Sequence, residues 1–177
     1  MKANSSRTKE AEKQQCFEVF FRANYNRLEQ YVGRRVPHAQ VDDVVAGTFV
    51  VAWKKFDLVE QPSLPWLFRI ASFEVKSSHR KTQRDGHTLG SEALEGIPNT
   101  VDEIFDTEPL RHAMVELSDV DQEILRLVHW DDLTRSEIAE VLELAVSAVN
   151  MRYHRAIERL EQRLIPTTTS HKENTDE

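Results

Sequence analysis

From about Cys16 to Arg35 the apolar residues Phe17, Phe20, Phe21, Leu28, Tyr31 and Val32 recur three and four positions apart. That spacing lays one stripe along an α-helix, and Pro37 closes the run. A second stripe, Val41, Val44, Val45, Phe49, Ala52, Trp53 and Phe56, predicts a second helix. Asp42 and Asp43 fall in its expected first turn, where the helix dipole favours negative charge. A third helix is predicted just after Pro65, with Trp66, Leu67, Ile70, Phe73 and Val75 on its apolar side and Arg69, Lys76, Arg80, Lys81 and Arg84 elsewhere. Three such stripes can close on one another as a small bundle.

A second periodic region begins at "SDVDQEILRLVHW", where Ser118 is the expected N-cap, Asp121 follows three residues later, and Ile124, Leu125 and Val128 form an apolar face. "TRSE" repeats the signal, with Thr134 as cap and Glu137 reaching back in a capping box. In "LTRSEIAEVLELAVSAVNMRYHRA", Ile138 and Ala139 belong to one short helix, Leu142 and Leu144 flank a turn, and Val149 lies one turn into the next helix. This is helix-turn-helix spacing. The second helix then exposes Ser147, Asn150, Arg152, His154 and Arg155, side chains able to donate to base edges and phosphates. Glu143 stands where glycine usually permits a left-handed turn, and Ala145 where Ser or Thr would cap the recognition helix, departures of about 1 kcal/mol each. A plain helical hairpin with a solvated polar face is the alternative for this stretch.

Breakers are scarce: 5 glycines and 6 prolines in 177 residues leave too little turn punctuation for many strands, so the expected fold class is all-α. The net charge of −7 argues against a nucleic-acid partner until its location is considered. Between Asp85 and Pro109 lie seven acids (Asp85, Glu92, Glu95, Asp102, Glu103, Asp106 and Glu108) and no Lys or Arg, which accounts for the whole imbalance. With Gly86, Gly90, Gly96, Pro98 and Pro109 this stretch is expected to be a flexible linker; a short acidic helix around "SEALEGI" is the alternative. The expected organisation is two small helical domains, 15–84 and 110–165, joined by the acidic linker 85–109. The tails 1–14 and 166–177 are expected to be disordered.

Cys16 is the single cysteine, which excludes an intramolecular disulfide and a cysteine zinc cage, and the seven dispersed histidines form no helical-turn pair, so no metal or other cofactor is expected. There is no glycine-rich phosphate loop, no HExxH, and no nucleophile with an evident base, so an enzyme is not expected. The polar opening "MKANSSRTKEAEKQQ" lacks a signal-peptide core, and "VVAGTFVVAW" is too short to span a bilayer. A cytoplasmic protein without membrane insertion is expected.

These residues resemble a known family, the bacterial RNA polymerase sigma factors of the extracytoplasmic-function group, over roughly Cys16–Arg84 and Leu110–Leu164. "VDDVVAGTFVVAWKKF" followed by "PWLFRIASFEVKSSHRK" resembles region two of that family. "LSDVDQEILRLVHWDDLTRSEIAEVLELAVSAVNMRYHRAIERLEQRL" resembles region four. The resemblance implies that region four reads the minus-thirty-five promoter element as duplex, with Ser147, Asn150, Met151, Arg152, His154 and Arg155 nearest the groove. It implies that region two captures the melted minus-ten strand, with Phe56 at a base pocket in "FDLVEQPSLP" and Arg69, Lys76, Arg80, Lys81 and Arg84 tracking phosphates. Asp43 matches an acidic position that meets the polymerase. The implied partners are core RNA polymerase, through its β′ clamp helices and β flap, promoter DNA both double-stranded and melted, and an anti-sigma protein. Ala46 and Gly47 replace the usual Gln and Glu of the clamp motif, and Phe73 replaces a common Asn. A helix-turn-helix regulator binding an operator without polymerase, or a polymerase-binding protein without promoter recognition, stays open as an alternative.

Overall fold

A computed structural model describes residues 2–84 and 107–164. Among these residues there are seven α-helices, one 3-10 turn and no strand. The expected linker up to residue 106 and the expected C-terminal tail lie outside the described residues.

Helix α1 spans Lys2–Gly33. It therefore starts well before Cys16, correcting the expectation of a disordered first segment. The opening stretch is polar, but its Ala, Glu, Lys and Gln are strong helix formers, and Lys13 ties it to the next helix: its Nζ lies 2.6 Å from Asp57 and 4.4 Å from the Trp53 ring centre. Helix α2 spans His38–Lys55, with Pro37 at its N-cap, and a 3-10 turn, Phe56–Leu58, follows. Because α2 starts at His38, Asp42 and Asp43 fall beyond its first turn, where the dipole contribution has largely decayed. Helix α3 spans Leu64–Arg84, and the Ser63 hydroxyl accepts a hydrogen bond from the Trp66 amide at 3.2 Å.

The first three helices close over Leu28, Tyr31, Val32, Phe49, Leu67 and Phe68, with Tyr31 stacked on Phe68 at 4.3 Å. The buried arc of α3 is Leu67, Phe68, Ile70, Ala71 and Val75. Phe73, counted in the apolar stripe from sequence, is instead 52% exposed. At about 100° per residue it points away from Ala71 and Val75.

Helix α4 spans Thr107–Val115, starting before Leu110; Pro109 sits in its first turn, where a missing amide hydrogen removes no helical bond. Helices α5 (Asp119–His129), α6 (Arg135–Leu142) and α7 (Val146–Leu164) follow. Both expected caps are present. The Ser118 side chain accepts from the Asp121 amide, and Thr134 and Glu137 form a reciprocal capping box. Ala113, Met114, Leu117, Leu125, Ala156 and Leu160 make a local core for α4, α5 and α7.

The two helical groups pack on each other, chiefly α3 against α6, and one buried apolar cluster runs from Leu28 and Val75 through to Leu127, Ile138 and Val149. At their junction lies a buried ion network. Arg35 donates from Nε to Glu123 at 2.9 Å and from Nη2 to Asp131 at 3.0 Å. Arg34 donates to the same Asp131 carboxylate at 2.5 Å, and Arg27 donates to the Asp131 backbone carbonyl at 2.7 Å.

Candidate nucleic-acid interface

The turn between α6 and α7 is built despite its residues. Glu143 adopts the left-handed conformation, φ 57° and ψ 41°, that glycine fills without steric cost. The geometry persists because Ile138 and Val149 are fully buried on either side of it, and the Leu144 amide bonds back to the Ala139 carbonyl at 3.0 Å. Ala145 has no side chain to cap α7; its carbonyl accepts from Ala148 and Val149.

Val149, Ala156 and Leu160 turn inward from α7, which fixes the outward face. Ser147, Asn150, Met151, His154 and Arg155 are all exposed there, within one side of the helix. Arg152 falls on the flank, where it donates to the buried Asp121 carboxylate at 3.0 Å and is only partly exposed. It braces α7 against α5. Arg135, not singled out from sequence, stacks 3.6 Å above the Tyr153 ring beside this face.

On α3 the structure regroups the candidates. Arg69, Phe73, Lys76, Arg80 and Arg84 lie along one side, opposite the buried arc, with Lys76 Nζ 5.8 Å from the Phe73 ring centre. A basic strip with an exposed aromatic ring within it suits an unpaired strand, because phosphates and base faces are both served. Phe73 carried no expected role. Its signal was the mismatch between a large ring and the angular position of Arg69 and Lys76. Beside it a groove of about 510 Å³ is lined by Val51, Lys55, Trp66, Ile70 and Glu74.

Two candidates stand apart from that strip. Phe56 is half-buried, with its ring edge-to-face against Phe17 at 5.1 Å and beside Phe20 at 5.7 Å. Lys81 turns toward the groove between α2 and α3, which Asp43, Gln40 and Glu74 also line. Asp43 itself is exposed. Gly47 is half-buried, and a Cβ there would meet Glu74 Oε2 at 3.4 Å, ordinary contact.

Electrostatics distinguish the exposed surfaces from the junction. Burial, reinforced by the Glu123 carboxylate, raises the Tyr31 phenol far above its ordinary pKa, so the hydroxyl stays protonated and faces Glu123 as a donor at 3.4 Å. Burial acts to lower the pKa of Arg35, but Glu123 and Asp131 beside it reverse that and raise it. No cluster of metal-ligating side chains occurs among the described residues, and no helix among them is long and apolar enough to cross a membrane.

The family model for sigma-70 region 4 matches residues 107–160. The RNA polymerase sigma factor NccH of Alcaligenes xylosoxydans xylosoxydans is 29% identical over 136 residues, covering 71% of this chain and 73% of its own. The sigma factor YlaC of Bacillus subtilis is 29% identical over 150 residues, 78% and 86% of the two chains. The ECF sigma-E factor of Escherichia coli K12 is 26% identical over 170 residues, 86% and 88%. Two solved structures are similar in fold. CnrH in complex with the cytosolic domain of CnrY gives a TM-score of 0.63 at 27% identity, covering 85% of this chain and 88% of that one. RpoE of Bartonella quintana in complex with the anti-sigma factor NepR gives 0.65 at 25% identity, covering 85% and 97%.

Proposed function

We propose that this chain is an RNA polymerase sigma factor of the extracytoplasmic-function group, like the relatives it resembles, and that it binds core polymerase in the cytoplasm and directs it to promoters through two separate DNA contacts. The outward face of α7, with Ser147, Asn150, Met151, His154 and Arg155, reads the minus-thirty-five duplex. The strip on α3, with Arg69, Phe73, Lys76, Arg80 and Arg84, holds the melted minus-ten strand. Asp43, exposed on α2, contacts the β′ clamp helices, and the α4–α7 group meets the β flap.

The division follows from the two surfaces themselves. The α7 face is a single helix with hydrogen-bonding side chains at its N-terminal end, a shape that fits a major groove. The α3 strip pairs cations with an exposed ring and so rewards unstacked bases. Preferential binding of the single strand is what shifts a promoter toward the open state, since a ligand moves an equilibrium only by its differential affinity. The protein does no bond chemistry of its own in this account.

Phe56 has a supporting role here, holding the 3-10 turn through Phe17 and Phe20. Arg152 keeps α7 in register through Asp121. The acidic stretch 85–109 is suited to a basic channel of the polymerase; replacing its seven acids with neutral residues is expected to reduce open-complex formation. An anti-sigma protein is a further expected partner, by analogy with the RpoE complex.

The observation that carries the proposal is a pair of exposed surfaces of different character on two helical groups of one chain, a polar and basic face on α7 and a cationic strip with an aromatic ring on α3. Its test is transcription from a library of promoter fragments with core polymerase. Start-site-specific transcripts requiring both components support it. Operator-like duplex binding by the chain alone, with no effect on core, contradicts it.

A further inference from the structure

Val149, Ala156 and Leu160 form the buried line of α7, and at about 100° per residue Ser147, Met151 and His154 fall opposite it. Asn150 stands on one flank of that outward line and Arg155 on the other. The middle of the polar face is therefore held by a methionine, and 49% of it is exposed. Met151 belongs to neither buried cluster of the described residues and packs against neither. The other exposed apolar residues of the helix, Val146 and Leu164, lie well to the side of the outward line.

An apolar side chain in that place has one kind of target on a duplex. A thioether donates no hydrogen bond and is at best a weak acceptor, so Met151 cannot read the pattern of donors and acceptors along the major groove. Of the groups that base pairs present there, the C5-methyl of thymine is the apolar one. Methionine suits it, because an unbranched chain with a polarizable sulfur can settle over a methyl group whose position other contacts have fixed. Ser147, Asn150 and Arg155 can supply those contacts to base edges and phosphates. Both apolar surfaces leave water when they meet, so the gain is hydrophobic and confined to a single base pair.

We propose that Met151 covers the C5-methyl group of a thymine in the duplex element and is the residue that selects a T·A pair at that position. The inference deepens the reading of α7 as the duplex-reading helix and rests on it.

The test removes the methyl group and nothing else. A duplex element is selected from random promoter fragments by the full-length chain together with core RNA polymerase. Each thymine of the element, in either strand, is then replaced singly by deoxyuridine, which keeps the base pair and lacks only the methyl group. At one position the wild-type chain should bind the thymine template about three- to fivefold tighter than the deoxyuridine template, the factor that burial of one methyl group allows. With M151A, and with M151Q, which keeps the length but loses the apolar character, that ratio should fall to about one. A merely structural role for Met151 would weaken binding to both templates alike and leave the ratio intact, which would overturn the proposal. Ratios near one at every thymine for the wild-type chain, or a selected element with no thymine in either strand, would overturn it as well. If no fragment forms a complex that needs core polymerase, the sigma-factor reading falls instead. The same deoxyuridine series on the duplex that the chain selects alone then decides the methyl contact, and selection of no duplex counts against it.

Discussion

Glu143 and Gly47 are two residues whose backbone settings and identities disagree, and each makes a measurable prediction. Glycine at 143 accepts φ 57° without the steric cost that a β-carbon brings, so E143G should raise stability by up to about 1 kcal/mol in denaturant unfolding. Gly47 lies inside α2, and its missing Cβ would find only ordinary contact with Glu74. G47A should therefore stabilise the fold by about 0.5–1 kcal/mol in the same experiment. Thr134 works the other way: T134A removes one half of the capping box and should cost about 1 kcal/mol. At this scale much was legible. Ser118, Thr134 and Glu137 announce their caps through local spacing alone, and Glu143 marks its own turn by standing where glycine is usual. Phe73 was not legible as an exposed ring, because its three-residue distance from Ile70 imitates a stripe while its angle belongs to Arg69 and Lys76.

At the scale of helices, the proposed DNA contacts fall to α7 for base reading and to α3 for strand capture, and their variants should behave differently. N150A is expected to cost about 1–3 kcal/mol at one base position of the duplex element, measured as loss of discrimination between cognate and mutant promoters. R155A should weaken binding across all sequences and lower the slope of log affinity against log salt by about 1. F73A should cost about 1–3 kcal/mol in binding the single-stranded minus-ten oligonucleotide and leave duplex affinity unchanged. The helices follow from apolar periodicity except at their ends and except for α4, which no expected stripe announced. The start of α1 has no apolar stripe to announce it, and its polar run reads as disorder; Lys13 docks on Trp53 and Asp57 only once the helices have packed. Arg152 neighbours Asn150 and Met151 in sequence, and its bond to Asp121, 31 positions away, has no local signature.

For the whole molecule, the junction between the helical groups is the feature that sequence could not disclose. Arg34 and Arg35 find Glu123 and Asp131 across 88 to 97 positions, and neither end carries a periodic or motif signal. Removing one partner leaves a buried guanidinium uncompensated, so D131A should destabilise the packed form by about 3–5 kcal/mol, seen as earlier separation of the groups in a denaturant series. The all-helical class and the succession of two helical groups were readable because they rest on local pattern; their mutual packing was not, because it rests on charges brought together only by folding. The central claim is that this chain confers promoter choice on a larger enzyme, and the most direct measurement is run-off transcription by core RNA polymerase with and without it on a promoter library. Discrete start sites that appear only when both are present, and that fade with N150A, are expected. Identical transcript patterns with and without the chain would contradict it.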